Sequence, residues 1–146
     1  MKVSTRGRYG LRAMVDLAVT QNDGAIPLRQ ISERQNISEQ YLEQLFASLR
    51  KAGIVKSVRG AHGGYLLNHK AEDITVKDII TALEGPIAPV DCVLSEDECD
   101  NSKDCVTHQV WIKVKKNIDQ ILDSVTLLEL KEEYKKQKTT DFIYHI

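Results

Sequence analysis

The sequence lacks the features that place a chain in a membrane or outside the cell. It has no run of about eighteen apolar residues, so no segment is expected to cross a bilayer. Its first five residues lead into arginine and glycine rather than an apolar stretch, so we expect no secretory signal. These absences predict a cytoplasmic protein, in which thiols stay reduced.

The chain also lacks the residue patterns on which enzymes depend. It contains no phosphate-binding loop, no nucleophile beside a general base and no second carboxylate pair. Its three cysteines are an odd number, which disfavours a plain disulfide framework. We therefore expect no catalytic residue, no small-molecule substrate and no enzymatic activity.

Charge is distributed unevenly along the chain. Residues 1–70 hold 11 Lys and Arg against 5 Asp and Glu, whereas residues 71–146 hold 9 against 16. The first part is therefore basic and the second acidic, although the net charge is only −1. This asymmetry favours contact of the first part alone with a polyanion such as DNA.

Hydrophobic spacing predicts a mainly α chain with one small β-hairpin. A helix-turn-helix followed at once by a glycine-tipped hairpin is typical of a winged helix, and this order is more specific than any single part. Later in the chain, Thr75 with Asp78 and Thr126 with Glu129 are typical of helix capping boxes. The predicted elements are helices over residues 8–21, 27–36 and 38–53, strands over 54–59 and 65–67, a fourth helix from 75, a long helix from about 106, and a further short helix after 126.

The exposed face of the third helix is predicted to read DNA. If its apolar residues face the core, Gln40, Glu43 and Gln44 point the other way, toward the major groove. Glutamine can pair with adenine, whereas an ionised Glu43 only accepts hydrogen bonds and favours cytosine. Ser38 and Tyr41 can donate to phosphates at the start of the helix. The simpler alternative is a solvated polar face.

The predicted hairpin carries a second candidate contact with DNA. Arg59 lies beside Gly60, and a glycine-rich turn lets an arginine enter a narrow minor groove. The alternative for Arg59 is a surface salt bridge. Additional phosphate contacts are expected from Lys56, Ser57, Arg6, Arg8 and Arg12.

All three cysteines lie close together in a polar, acidic segment where a thiol gains nothing by packing. Cys92, Cys99 and Cys105, with His108 at the start of the long helix, can converge on one metal centre. Zinc accepts such a set, but the closely spaced cysteine pair usual in structural zinc sites is missing. A 2Fe–2S cluster also needs four ligands and suits wider loops. Reactive free thiols remain a third alternative, and the acidic surroundings favour a labile centre.

Several stretches of the sequence resemble a known family. They are STRGRYG at 4–10, ISERQNIS at 31–38, YLEQLF at 41–46, LRKAGIVKSVRG at 49–60, GGYLL at 63–67 and CVTHQVW at 105–111. Together they resemble the IscR-type iron–sulfur regulators, within a broader group of winged-helix repressors that includes the NsrR and CymR types. The resemblance runs from Met1 to about Tyr134.

The resemblance implies a homodimer, held by the long helix, that binds a pseudo-palindromic DNA operator and represses iron–sulfur biogenesis genes. It implies one 2Fe–2S cluster per subunit on Cys92, Cys99, Cys105 and His108, and DNA reading by Glu43 and Arg59. One departure is that six residues, rather than the usual five, separate the first two cysteines. The alternatives within the group are nitric oxide sensing and regulation of cysteine metabolism; a zinc-stabilised module is the alternative outside it.

These inferences divide the chain into four parts. We expect a winged helix-turn-helix domain over 1–85, a cluster-binding loop over 86–105, a dimerisation helix with a following short helix over 106–130, and a C-terminal tail over 131–146.

Overall fold

The chain folds mainly as α-helices around one small β-hairpin, as predicted. A computed structural model describes residues 2–95 and 104–144. Within these ranges the elements, in chain order, are α1 (Thr5–Thr20), α2 (Leu28–Gln35), α3 (Glu39–Lys51), β1 (Val55–Val58), β2 (Gly64–Leu67), α4 (Val76–Glu84), α5 (His108–Ser124) and α6 (Leu127–Tyr144).

Local sequence signals place the helix ends. Asn36 adopts the left-handed conformation (φ 54°) in the turn between α2 and α3, and Ser38 caps α3 by accepting from the Tyr41 backbone N–H at 3.1 Å. Both halves of the Thr75–Asp78 capping box are formed at α4, at 3.1 and 3.0 Å. These features confirm the predicted starts of α3 and α4.

The winged-helix core lies between α1, α2, α3 and α4. Buried apolar residues from all four helices meet there, and β1 covers one side. Leu127 of α6 joins this core and is fully buried, 0 % exposed. Residues from the first helix, α1, and from the last helix, α6, therefore pack in the same core.

The hairpin is fixed to the rest of the domain at its base. Strands β1 and β2 pair antiparallel, with Val55 opposite Leu67. Tyr65 and Ile26 exchange two backbone hydrogen bonds of 2.9 Å, which tie β2 to the segment before α2. Gly64 (φ +152°) lies so close to the Ile26 backbone that a Cβ atom would overlap it. This hairpin, residues 55–67, is called the wing below, and these contacts fix its direction relative to α2.

The short helix expected after Thr126 is wrong in length, because α6 has 18 residues. It continues through the segment predicted as a tail and packs along α1. Its start is held by a hydrogen bond from the Leu127 N–H to the Ile74 carbonyl at 2.8 Å, next to one from the Val76 N–H to the Val125 carbonyl at 2.9 Å. Of the helices described, none is long and apolar enough to cross a membrane.

Candidate nucleic-acid interface and metal centre

Helix α3 presents the predicted reading face to solvent. Its buried side is apolar, and the opposite side exposes Gln40, Glu43 and Gln44. Ser38 is also exposed; its oxygen already caps the helix, which leaves its hydroxyl hydrogen free to donate. Tyr41 is half-buried and packs edge-on against the Tyr9 ring, with 6.3 Å between centroids. The helix therefore offers a polar surface on a rigid base.

The wing lies beside this helix. Arg59 and Gly60 are exposed at the turn of the hairpin, and Gly60 has φ +112°, which favours glycine. A groove of about 510 Å³ separates the wing from α3. Helix α3 lines one side of this groove, and Val58 and Gly63, which flank the turn that carries Arg59, line the other.

Two of the arginines predicted to contact phosphate form hydrogen bonds within the chain. Arg6 donates to the Leu83 carbonyl at 2.9 Å and to the Ser48 hydroxyl at 2.8 Å, so it joins α1 to α3 and α4. Arg12 donates to the Gln35 carbonyl at 2.9 Å, at the end of α2. Arg8 is exposed, with a long contact of 3.5 Å to the Thr5 hydroxyl and its guanidinium 6.0 Å from the centre of the Tyr9 ring.

An ion pair between a buried carboxylate and an arginine of α2 was not predicted from the sequence. Asp16 of α1 is only 3 % exposed and accepts from Arg34 at 2.8 Å and from the Gln35 amide at 2.9 Å. The hydrogen bond with Asp16 raises the pKa of the Arg34 guanidinium above its ordinary value. The signal for this pair was an aspartate on the apolar face of α1, since a buried carboxylate requires a partner.

The cysteine segment and the start of α5 meet at one point. Cys92 lies in a short 3₁₀ turn, Asp91–Val93, and its Sγ is 3.3 Å from Nδ1 of His108, the first residue of α5. Two of the four predicted ligands are therefore in contact, although sixteen positions separate them.

Cys105 lies near the same helix end but has other neighbours. Its Sγ is 3.1 Å from the Thr107 hydroxyl. Hydrogen bonding from Thr107, and secondarily from the His108 backbone N–H, lowers the pKa of the Cys105 thiol below its ordinary value. Cys99, the fourth predicted ligand, lies outside the described residues.

The predicted ligands have the donor types that a metal centre needs. Thiols and an imidazole are suitable ligands for iron or zinc, so the chemistry fits. Across residues 2–95 and 104–144, however, no three His, Cys, Asp or Glu side chains converge as a metal site. Among the described residues, Cys92 and His108 are in contact, whereas the Cys105 thiol contacts the Thr107 hydroxyl.

Comparison with known proteins identifies the family. Residues 3–133 match the Rrf2 family model, described as an iron-dependent transcriptional regulator. The chain is 46 % identical over 130 residues to the regulator CymR of Bacillus subtilis, with 89 % of each chain covered. It is 44 % identical over 130 residues to the regulator IscR of Yersinia pseudotuberculosis, covering 89 % of this chain and 79 % of that one.

Solved structures agree with these matches. The structure of Bacillus subtilis CymR superposes with a TM-score of 0.75 at 43 % identity, over 91 % of this chain and 98 % of that chain. T. potens IscR superposes with a TM-score of 0.74 at 49 % identity, over 92 % and 88 %. The superposition on these structures confirms the winged-helix fold. The relatives are named as transcriptional regulators, which confirms the DNA-binding class and the expectation that the protein is not an enzyme. The chain belongs to the Rrf2 family of transcriptional regulators.

Proposed function

We propose that this protein is a cytoplasmic, homodimeric repressor that binds a pseudo-palindromic operator and responds to iron–sulfur cluster status. The observation that carries the proposal is the contact between Cys92 and His108 at the first residue of α5. The similarity to IscR proteins and the family description as iron-dependent support the same class of signal. The regulated genes would be those of iron–sulfur cluster biogenesis.

Cys92, Cys99, Cys105 and His108 would together hold one 2Fe–2S cluster per subunit. Such a cluster supplies sensitivity to iron supply and to oxidants when it is bound. The chain contributes soft sulfur donors and one imidazole that the fold already places against Cys92.

The fold offers a route from this site to the DNA-reading domain. His108 begins α5, which packs on α4, and the α5–α6 junction bonds to α4 through the Val76 N–H and the Val125 carbonyl. Helix α6 then packs on α1 beside the helix-turn-helix. Ligand-dependent order at the start of α5 would therefore bias the position of α3, in line with ordinary linkage.

On the DNA side, we propose that Gln40, Glu43 and Gln44 read bases in the major groove. Ser38 and Tyr41 would donate to phosphates at the start of α3, and Arg59 with Gly60 would enter the minor groove. Glu43 is the proposed discriminator, because a carboxylate tolerates cytosine and repels phosphate. Glu43→Ala should relax the difference in site preference between the cluster-bound and cluster-free protein. If the variant keeps the parent's DNA-site preferences both with and without cluster, Glu43 does not couple cluster occupancy to site choice.

The direct test is anaerobic purification followed by iron and acid-labile sulfide analysis. We expect a brown protein with equal amounts of iron and sulfide. Binding to promoter fragments of the organism's iron–sulfur assembly genes, measured with and without cluster, should then differ by roughly tenfold or more. A colourless zinc protein, or promoter affinity that is the same in both states, would contradict the sensing function.

A second candidate is regulation of cysteine metabolism. It is favoured by the 46 % identity to CymR, whose structure is described as that of the global cysteine regulator of Bacillus subtilis. This candidate predicts anaerobic protein without iron or sulfide that still binds promoters of cysteine-metabolism genes. Nitric oxide sensing, by contrast, predicts a cluster whose loss on nitric oxide treatment changes promoter affinity.

A further inference from the structure

The groove between α3 and the wing has an arginine at one end and two carboxylates at the other. Its helical wall is one strip of α3, on which Glu39, Glu43 and Arg50 follow each other at helical spacing. Ser57 of β1 lies on the wing side. The groove volume is about 510 Å³, which is enough for an extended polar ligand.

The position of this groove determines what must pass through it. A recognition helix in the major groove and a hairpin tip in the adjacent minor groove stand on either side of one DNA strand. We infer that this groove holds the phosphodiester backbone of that strand and that Arg50 is its principal phosphate ligand. The inference rests on the proposed function of the protein as an operator-binding regulator.

The available hydrogen-bond donors support this assignment. Arg50 is exposed, and its guanidinium has no hydrogen-bond or ion-pair partner among the residues that the structure describes. The Gly63 N–H already donates to the Gly60 carbonyl at 3.0 Å, and Gly64 is paired with Val58 across the hairpin. The side chains of Arg50 and Ser57 therefore supply the donors, and guanidinium suits phosphate because of its fork of N–H groups.

The two carboxylates define where the phosphate can sit. Glu43 and Glu39 lie about two and about three helical turns, respectively, from Arg50 toward the start of α3, and both are exposed. They repel a phosphate that slides toward them, so the favourable position is at the Arg50 end. Arg50 thus fixes the register of the protein on DNA without reading sequence, which is the usual role of a phosphate contact.

The test uses the full-length protein and a fluorescein-labelled 30-base-pair duplex of random sequence, titrated at several salt concentrations. Arg50→Gln should weaken binding roughly tenfold for each bound protomer and reduce the slope of log affinity against log salt by about 0.9 per protomer. Arg50→Lys should restore the slope because it keeps the charge. Glu39→Gln should tighten binding about threefold.

Lys135→Gln is the matched control, because it removes one positive charge from the exposed part of α6, outside the groove. It should leave both affinity and slope near the parent values. If Arg50→Gln only lowers the Tm and keeps the parent slope, Arg50 stabilises the end of α3 and the inference is wrong. If the parent itself binds no duplex in either cluster state, the proposed function fails instead.

Discussion

At the scale of single residues, the buried Asp16 carboxylate shows how one polar group orients a helix-turn-helix. It lies on the apolar face of α1 and accepts from both Arg34 and Gln35, at the end of α2. A buried carboxylate of this kind stabilises the fold only while its partners are present, because an unpaired charge in the interior is expensive. The pair therefore specifies the packing of α2 on α1.

Asp16→Ala should lower the free energy of unfolding by roughly 2 kcal/mol, because it removes the charge-assisted hydrogen bonds from the Arg34 guanidinium and the Gln35 amide. Urea unfolding followed by circular dichroism measures this loss. Asp23→Ala is the control, since Asp23 is exposed in the turn after α1 and its loss should change stability by less than about 0.5 kcal/mol. If the two variants lower the free energy of unfolding equally, the Asp16 hydrogen bonds contribute no more to stability than an exposed carboxylate does.

His108 is the residue on which the proposed sensing site depends most directly. His108→Ala should make the reconstituted protein lose iron and sulfide roughly 10- to 100-fold faster to a chelator under nitrogen, because one ligand is removed. Release is followed by absorbance after chelator addition. His69→Ala is the matched control, because His69 is exposed and lies outside the cysteine segment. If the His108 variant loses iron and sulfide at the parent rate, the fourth ligand is a residue other than His108.

At the scale of elements, the wing depends on one close backbone approach. Gly64 begins β2, where the two hydrogen bonds between Tyr65 and Ile26 join the hairpin to the segment before α2. A side chain at this position would overlap the Ile26 backbone, and the positive φ adds strain. The direction of the wing, and so the width of the groove beside α3, therefore depends on this glycine.

Gly64→Ala should destabilise the protein by about 2 to 3 kcal/mol and weaken DNA binding beyond the loss of folded protein, since the wing is displaced. Thermal unfolding and fluorescence anisotropy, done on the same samples, separate the two effects. Gly24→Ala serves as the control, because a Cβ there meets nothing within 4 Å. The proposal for the wing is contradicted if folded Gly64→Ala protein binds DNA as the parent does.

At the scale of the whole molecule, α5 has an apolar face that the single chain leaves open. Val110 is 50 % and Ile121 is 64 % exposed, and none of the residues of α5 is buried. The other face of α5 packs on α4, so the open strip points away from the chain's own core. An apolar strip of this length is expected to pack against a second copy, as the proposed homodimer requires.

Ile121→Glu should convert the dimer to a monomer, because it places a charge in the middle of the proposed interface. Light scattering coupled to size exclusion measures the mass, and operator affinity should fall with it since only one half-site is then held. Gln120→Glu introduces the same side chain at the neighbouring position, off the apolar strip, and should remain dimeric. A dimeric Ile121→Glu protein would place the interface elsewhere.

Local signals in the sequence were sufficient for the elements that depend on neighbouring residues. Ser38, Asn36 and the Thr75–Asp78 pair act within one turn of the chain, so their roles follow from residue type and spacing. The change from helical to alternating spacing predicted the hairpin for the same reason. The exposed polar face of α3 also followed, because the buried face of an amphipathic helix defines the opposite one.

Contacts between distant parts of the chain were decided only by the tertiary structure. Arg6 could not be separated from a phosphate-binding arginine until Leu83 and Ser48 were found beside it. The local Thr126–Glu129 pattern predicted where α6 begins, but its length of 18 residues and its packing along α1 were seen only in the tertiary structure. By itself, then, the sequence determined helix caps, amphipathic faces and the wing; long-range packing decided the Asp16–Arg34 pair and the meeting of Cys92 with His108, because such contacts depend on how whole elements pack.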